Sequence, residues 1–229
     1  MSDVPYNPLD TKNLGASVAE ALLEKTPQPL AKLERFNGAG IYAIYYVGSL
    51  PMYRRMADAN CDERWRWPIY IGKAVPSGSR KALSSRGSGR WLHSRLREHA
   101  ESIEAARNLD LADFYCRFLV VEDIWIPLGE SLLISRFTPI WNRLVEGFGN
   151  HDPGAGRYQG LRPVWDVLHP GRVWAQKCAA RPETSEEIEA RVEKYLLTEL
   201  APPEHPRLLL GSPGFDEAEV AFIDDEGDE

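Results

Sequence analysis

The chain has 229 residues, 43% of them hydrophobic and 27% charged, with a formal net charge of −7. That composition belongs to a folded globular protein and excludes a fully disordered chain. No apolar run approaches the roughly 18 to 20 residues that span a bilayer, and the opening MSDVPYNPLD has neither the basic nor the apolar region of a secretory signal. A cytoplasmic protein without a membrane segment is expected. Cys61, Cys116 and Cys178 are too far apart for a CxxC pair or a zinc spacing, so reduced thiols are expected. The charge is also segregated. From Glu183 to the end there are 15 acidic and 3 basic residues, which leaves the first 182 residues at +5; Arg54 to Arg107 alone carries +6. An overall acidic balance thus hides a basic centre, the electrostatic footprint of a nucleic-acid protein, although a solvated basic face would look the same.

In chain order, Ala16–Lys25 reads as a short helix stopped by Pro27 and Pro29. GIYAIYYV, Gly40–Val47, is rich in β-branched and aromatic residues and reads as a strand. A charged stretch, Tyr53–Trp67, interrupts the sheet before a second short strand, Pro68–Gly72. A Ser/Gly/Arg loop follows, then an amphipathic helix, Trp91–Ala106, with Leu92, Leu96, Ala100 and Ile103 on one stripe. Phe114–Val121 is a third strand, Leu128–Phe137 a second helix, and Thr138–Asn142 leads into the Gly-rich GFGNHDPGAGR, Gly147–Arg157. Trp165–Trp174 reads as a further short strand, and Ser185–Leu200 as a helix with Ser185 as its cap. The expected organisation is an N-terminal helical arm (1–36), a central α/β domain (37–157), an extension with a helix (158–200), and a Pro-rich then acidic tail (201–229).

Several side chains are placed for chemistry. Side chains alternate along a strand, so Tyr42 and Tyr70 can share one face of a hairpin with their hydroxyls together; packed core aromatics are the alternative. Lys73, directly after the second strand, could favour a phenolate and help a tyrosine accept a proton. Arg95 and His99 lie one helical turn apart, the arginine able to hold a phosphate or offset transition-state charge. Glu130 shares its helix face with Leu133, Ile134 and Phe137; a carboxylate there must be paired or bind metal, or else sit half-exposed in the first turn. One carboxylate with waters and a substrate phosphate makes an ordinary Mg²⁺ site. Arg64 and Arg66, beside two tryptophans, and Arg80, Lys81, Arg86 and Arg90 in the flexible loop are candidate DNA contacts; solubilising segments are the alternative. His151 belongs to a structural or DNA-contacting loop.

The paired tripeptides Gly40-Ile41-Tyr42 and Tyr70-Ile71-Gly72, in series with Arg95, His99 and Glu130, make residues from about Asn37 to Arg157 resemble the GIY-YIG nucleases. The insert and the GFGNHDPG segment resemble the branch that contains type II restriction endonucleases. This resemblance implies an α/β domain with a small antiparallel sheet flanked by helices, an insertion between the first two strands, and a C-terminal extension. It implies that Tyr42 positions or deprotonates the attacking water with Tyr70 as partner, and that Arg95 and His99 lie near the scissile phosphate and leaving group. It further implies that Glu130 holds Mg²⁺, with Mn²⁺ as a substitute, and that Asn142 closes the site. The implied substrate is double-stranded DNA, cut at a GC-rich palindrome such as CCGCGG to 5′-phosphate and 3′-hydroxyl ends. A two-fold homodimer on that palindrome and a separate cognate DNA methyltransferase are the implied partners. The insert and the last helix are the candidate dimer elements. A structure-specific nicking or repair nuclease, or a DNA-binding module without activity, is the alternative.

Overall fold

The computed structural model describes residues 7, 9–76 and 89–198. Four strands, β1 (Gln28–Pro29), β2 (Gly40–Tyr46), β3 (Pro68–Ala74) and β4 (Phe114–Val120), pair antiparallel in the order β1-β4-β2-β3. The described helices are α1 (Thr11–Leu23), α2 (Arg54–Asn60), α3 (Trp91–Ala105), α4 (Ile126–Phe137), α5 (Ile140–Arg143), α6 (Val164–Leu168) and α7 (Ser185–Thr198). The mixed α/β class with a small antiparallel sheet is the one expected. Among the described residues no helix is long and apolar enough to cross a membrane.

β2 is buried at all seven positions because both faces of the sheet are covered, which is why it reads as a near-continuous apolar run. Tyr42, Ile44 and Tyr46 face a core built with Leu92 and Leu96 of α3, Trp141 of α5, Trp165 of α6 and Val192 of α7. Ile41, Ala43 and Tyr45 face a second core with Ala16, Ala19 and Leu22 of α1 and Leu133 of α4. The N-terminal helix is therefore a structural layer of the sheet, not an arm. It starts earlier than expected, at Thr11, where the Asp10 carboxylate caps the Lys12 N–H at 3.1 Å.

The insert between β2 and β3 folds as α2 where only a charged interruption was expected. Buried Asn60 seals its base, donating to the carbonyls of Tyr46 (3.0 Å) and Trp67 (2.8 Å) and accepting from the Trp67 N–H (2.8 Å). Trp67 is buried and Trp65 packs on Tyr45 and Tyr115, so both tryptophans serve packing. Two further expectations need correction. Trp165–Trp174 contains no strand: Trp165 and Leu168 are buried three residues apart, a helical spacing, and Pro170-Gly171 ends the turn. The cap of α7 is Thr184, whose hydroxyl accepts from the Glu187 N–H while Glu187 accepts from the Thr184 N–H, a reciprocal capping box. The apolar face of α7, with Ile188, Val192 and Leu196, is spent inside the molecule, leaving Leu197 exposed.

A buried polar chain ties the insert to the C-terminal segment. Trp141 Nε1 donates to the Tyr53 hydroxyl (2.9 Å), which lies 2.8 Å from His169 Nε2. His169 Nδ1 lies 3.1 Å from Asn108 Oδ1, whose amide is oriented by donating to Leu168 O at 2.8 Å. The ring proton therefore sits on Nδ1, and burial pushes the His169 pKa down from 6.5 to about 3. Below the unfolded value of 6.5 the unfolded chain takes up a proton that the folded ring refuses. Stability should thus fall from about pH 6.5 toward pH 3 by roughly 1.4 kcal/mol per unit for this group. Urea unfolding across that range should show the decline, and His169→Gln, less stable near neutrality, should show a shallower one.

Candidate active site

The β2–β3 register places Tyr42 opposite Gly72 and Ile44 opposite Tyr70, so the two tyrosines are diagonal neighbours on one face, ring centroids 6.2 Å apart. The glycines of both tripeptides are close-approach positions. A Cβ on Gly72 would collide with the Tyr42 hydroxyl, and one on Gly40 with the Leu119 carbonyl of β4. The Tyr42 hydroxyl meets Nε2 of His99 on α3 at 2.5 Å. His99 is buried and stacked on Phe148, centroids 4.5 Å apart with 18° between the planes.

Burial dominates the electrostatics. It raises Tyr42 well above its ordinary pKa of 10, helped by Tyr70 and opposed by Arg95, and it raises Tyr70 in the same way. It lowers His99 well below 6.5, with the positive charges of Arg95 and Arg172 acting in the same direction. Tyr42 and His99 are therefore both neutral at neutral pH. The ammonium of Lys73 does not favour a phenolate here. Lys73 projects from the other face of β3 and pairs with Glu130 Oε2 at 3.0 Å.

Arg95, one turn before His99, turns its guanidinium into an open cleft of about 370 Å³ lined also by His99, Glu98, Gly149, His151 and Lys177. It donates to Gly149 O (2.8 Å), to Glu98 Oε2 (3.1 Å) and to His151 Nε2 (2.5 Å). Since guanidinium only donates, His151 accepts there and carries its ring proton on Nδ1. Glu130 stands close enough to the tyrosines that its charge raises the pKa of both. Its side chain is 15% exposed, against 38% for Lys73. Of the expected alternatives for this carboxylate, ion pairing is the one observed.

Asn142 does not reach into the cleft through its amide. It accepts from the N–H and donates to the carbonyl of Ile71, both at 2.8 Å, and so pairs the outer edge of β3 as a neighbouring strand would. Among the candidate DNA contacts, Arg64 folds back on the end of α2, bonding the carbonyls of Asp58 and Cys61. Arg66 and Arg90 are exposed. Arg80, Lys81 and Arg86 lie outside the described residues. Arg95, His99 and His151 thus line the cleft, with buried Tyr42 and partly buried Tyr70 behind His99, while Glu130 and Lys73 form a pair nearby and Asn142 supports the strand that carries Tyr70.

A family model described as the Eco29kI GIY-YIG domain matches residues 34–196. The chain belongs to this family. No curated protein matches it. The domain is a nuclease domain, which implies DNA as substrate, and the match runs through 158–196, the segment that the sequence sets apart as an extension. Phe148 and Gly149 are site residues that sequence reasoning missed; the signal was the glycine-flanked aromatic in GFGN, which reads equally well as a loop.

Asn142→Ala strips both partners from Ile71 at the sheet edge and should destabilise the fold by about 1–3 kcal/mol. Cleavage should fall in parallel with the folded fraction, measured by melting and cleavage on the same preparations.

Proposed function

We propose that this chain is a Mg²⁺-dependent, sequence-specific double-stranded DNA endonuclease of the type II restriction kind. It leaves 5′-phosphate and 3′-hydroxyl ends, works in the cytoplasm as a homodimer on a GC-rich palindrome, and is paired with a separate methyltransferase. The observation that carries the reading is the neutral Tyr42–His99 pair at 2.5 Å beside a guanidinium that opens into a cleft. A buried pair without charge, next to a cation able to bind a phosphate, suits in-line attack of water on phosphorus.

In that reaction a water molecule gives a proton to the Tyr42 oxygen as Tyr42 passes its own to His99 Nε2. The hydroxide attacks phosphorus, the bond to the 3′ oxygen breaks, and that oxygen takes a proton from solvent as it leaves as the 3′-hydroxyl. Low intrinsic basicity of His99 in the free protein is offset when the negative phosphate approaches and makes an imidazolium less costly. Arg95 offsets the charge that develops on the phosphoryl oxygens. Tyr70, packed against Phe148 at 5.0 Å and His99 at 5.2 Å, would serve as partner to Tyr42 on the side from which water attacks.

Glu130 fits a hard dication in charge and setting. It is a mostly buried carboxylate already holding a cation, and the half-exposed Lys73 ammonium has solvent to move into. Mg²⁺, with Mn²⁺ as a substitute, would be held by Glu130 and would polarise the phosphate and neutralise leaving charge. Lys73 holds the Glu130 carboxylate in place meanwhile.

Incubating a sequenced plasmid with the protein and Mg²⁺, then mapping the ends, tests the reading. Discrete fragments with 5′-phosphates are expected; nicks confined to branched or damaged DNA, or no cleavage, would overturn it. On a duplex carrying the mapped site, Glu130→Gln and Tyr42→Phe should each lower the cleavage rate by on the order of 10²- to 10⁴-fold while the protein stays folded and bound. Near-normal cleavage by folded Glu130→Gln would remove the metal assignment.

A further inference from the structure

Arg172, outside every motif named so far, has a side chain only 4% exposed. Its guanidinium lies between the rings of Trp165 and Trp174, 4.6 and 4.7 Å from their centroids. All five of its N–H bonds are used. Nε and one terminal nitrogen fork onto Asp166 at 2.7 and 2.5 Å. The remaining three N–H bonds go to the carbonyls of Gly147 (2.8 Å), Phe148 (3.0 Å) and Asn150 (3.0 Å).

The fourth carbonyl of that run, Gly149, accepts from Arg95. Four consecutive backbone carbonyls are thus divided between two arginines, one buried and one in the cleft. The same short segment lays Phe148 on His99 and against Tyr70, and brings His151 to Arg95. We infer that Arg172 is a positioning residue for strand cleavage: it clamps residues 147–150, and through them sets the guanidinium of Arg95 and the ring of His99. The inference rests on the reading of Arg95 and His99 as the groups at the phosphate.

A buried ion pair by itself is weak evidence for a stabilising role, because desolvation cancels most of its attraction. What distinguishes Arg172 is the fan of three N–H bonds to one loop. Lysine, with a compact ammonium, cannot reproduce that planar fan. Misplacement of a reacting group by about 1 Å costs on the order of 10²-fold in rate, so a loosened loop should show in the chemical step and not in binding.

The test uses the duplex mapped by plasmid digestion and saturating enzyme, with binding measured in the absence of divalent ion. Arg172→Lys is the conservative variant. Asp166→Leu with Arg172→Met replaces the ion pair by apolar side chains of similar volume, so no buried charge is stranded and the chain should fold even where Arg172→Lys does not. Whichever variant melts as a folded protein should lose about 10²-fold in cleavage rate with unchanged duplex binding. Combined with Arg95→Lys, its loss should be less than multiplicative, because both changes break the same loop-to-arginine coupling. A wild-type cleavage rate in either folded variant, a loss shared equally by binding, or full multiplication with Arg95→Lys would overturn the inference alone. A wild-type rate for Arg95→Lys and for His99→Gln would instead overturn the catalytic reading, and the inference with it.

Discussion

The 2.5 Å contact between the Tyr42 hydroxyl and His99 Nε2 joins the sheet to the helical layer above it, and much of the fold is arranged so that it can exist. Tyr42 has room for its ring because the position across the strand pair is Gly72. His99 is held on the far side by Phe148, itself packed on Trp141 and Trp165 in the centre of the core. Both groups are buried, and neither is charged in the free protein. Burying two polar groups is tolerable only because each satisfies the other.

That arrangement explains why the segments surrounding the sheet are so tightly cross-tied. β3 is an edge strand, yet it carries Tyr70, Gly72 and Lys73. Its outer side is closed by Asn142, its base by Asn60, and its far face by the Lys73–Glu130 pair. The C-terminal segment is equally committed. α6 and α7 complete the core over Tyr42, while His169 and Arg172 reach back to the insert and to the Gly147–Asn150 turn. The family match extending to residue 196 agrees with this: the segment after residue 157 is part of what holds the site.

The sequence made the central strand, both tripeptides and the α3 and α4 helices legible because each follows a strong period or a β-rich run with clear stops. It also located Tyr42, Tyr70, Arg95 and His99, since strand alternation and helical spacing fix which side chains share a face. What it missed is what depends on tertiary partners. Trp165–Trp174 reads as a short strand from its residues alone, but Trp165 and Leu168 find a common core only as a helical turn. Lys73 follows Tyr70 by three positions and looked like a partner for a phenol, yet over that odd spacing the pleat turns it to the opposite face, where Glu130 waits. Arg64 and Arg66 looked like nucleic-acid contacts in a segment set with two tryptophans, because nothing in the local sequence names the aromatic and core neighbours, Tyr45 and Tyr115 among them, that Trp65 and Trp67 pack against. Arg172 lies 77 residues from Arg95 in a segment with no motif, and no local pattern could link them.

On the proposed reading, a site whose Tyr42–His99 pair is neutral and buried has a built-in dependence on its substrate. In the free protein, an imidazolium at His99 would face the positive charges of Arg95 and Arg172, and a phenolate at Tyr42 would face Tyr70 and Glu130. Neither ionised state is favoured until something changes the local charge. On the proposed reading, the phosphate does so: it brings negative charge to the side of His99 already crowded with cations, and it competes for the N–H groups that Arg95 lends to His151 and Glu98. The bond from Arg95 to Gly149 O can persist through that exchange, because the carbonyl is held on a turn clamped from the other side. The guanidinium then stays aimed while its partners change, and the same phosphate that is cut supplies the field that makes Tyr42 and His99 competent to move a proton.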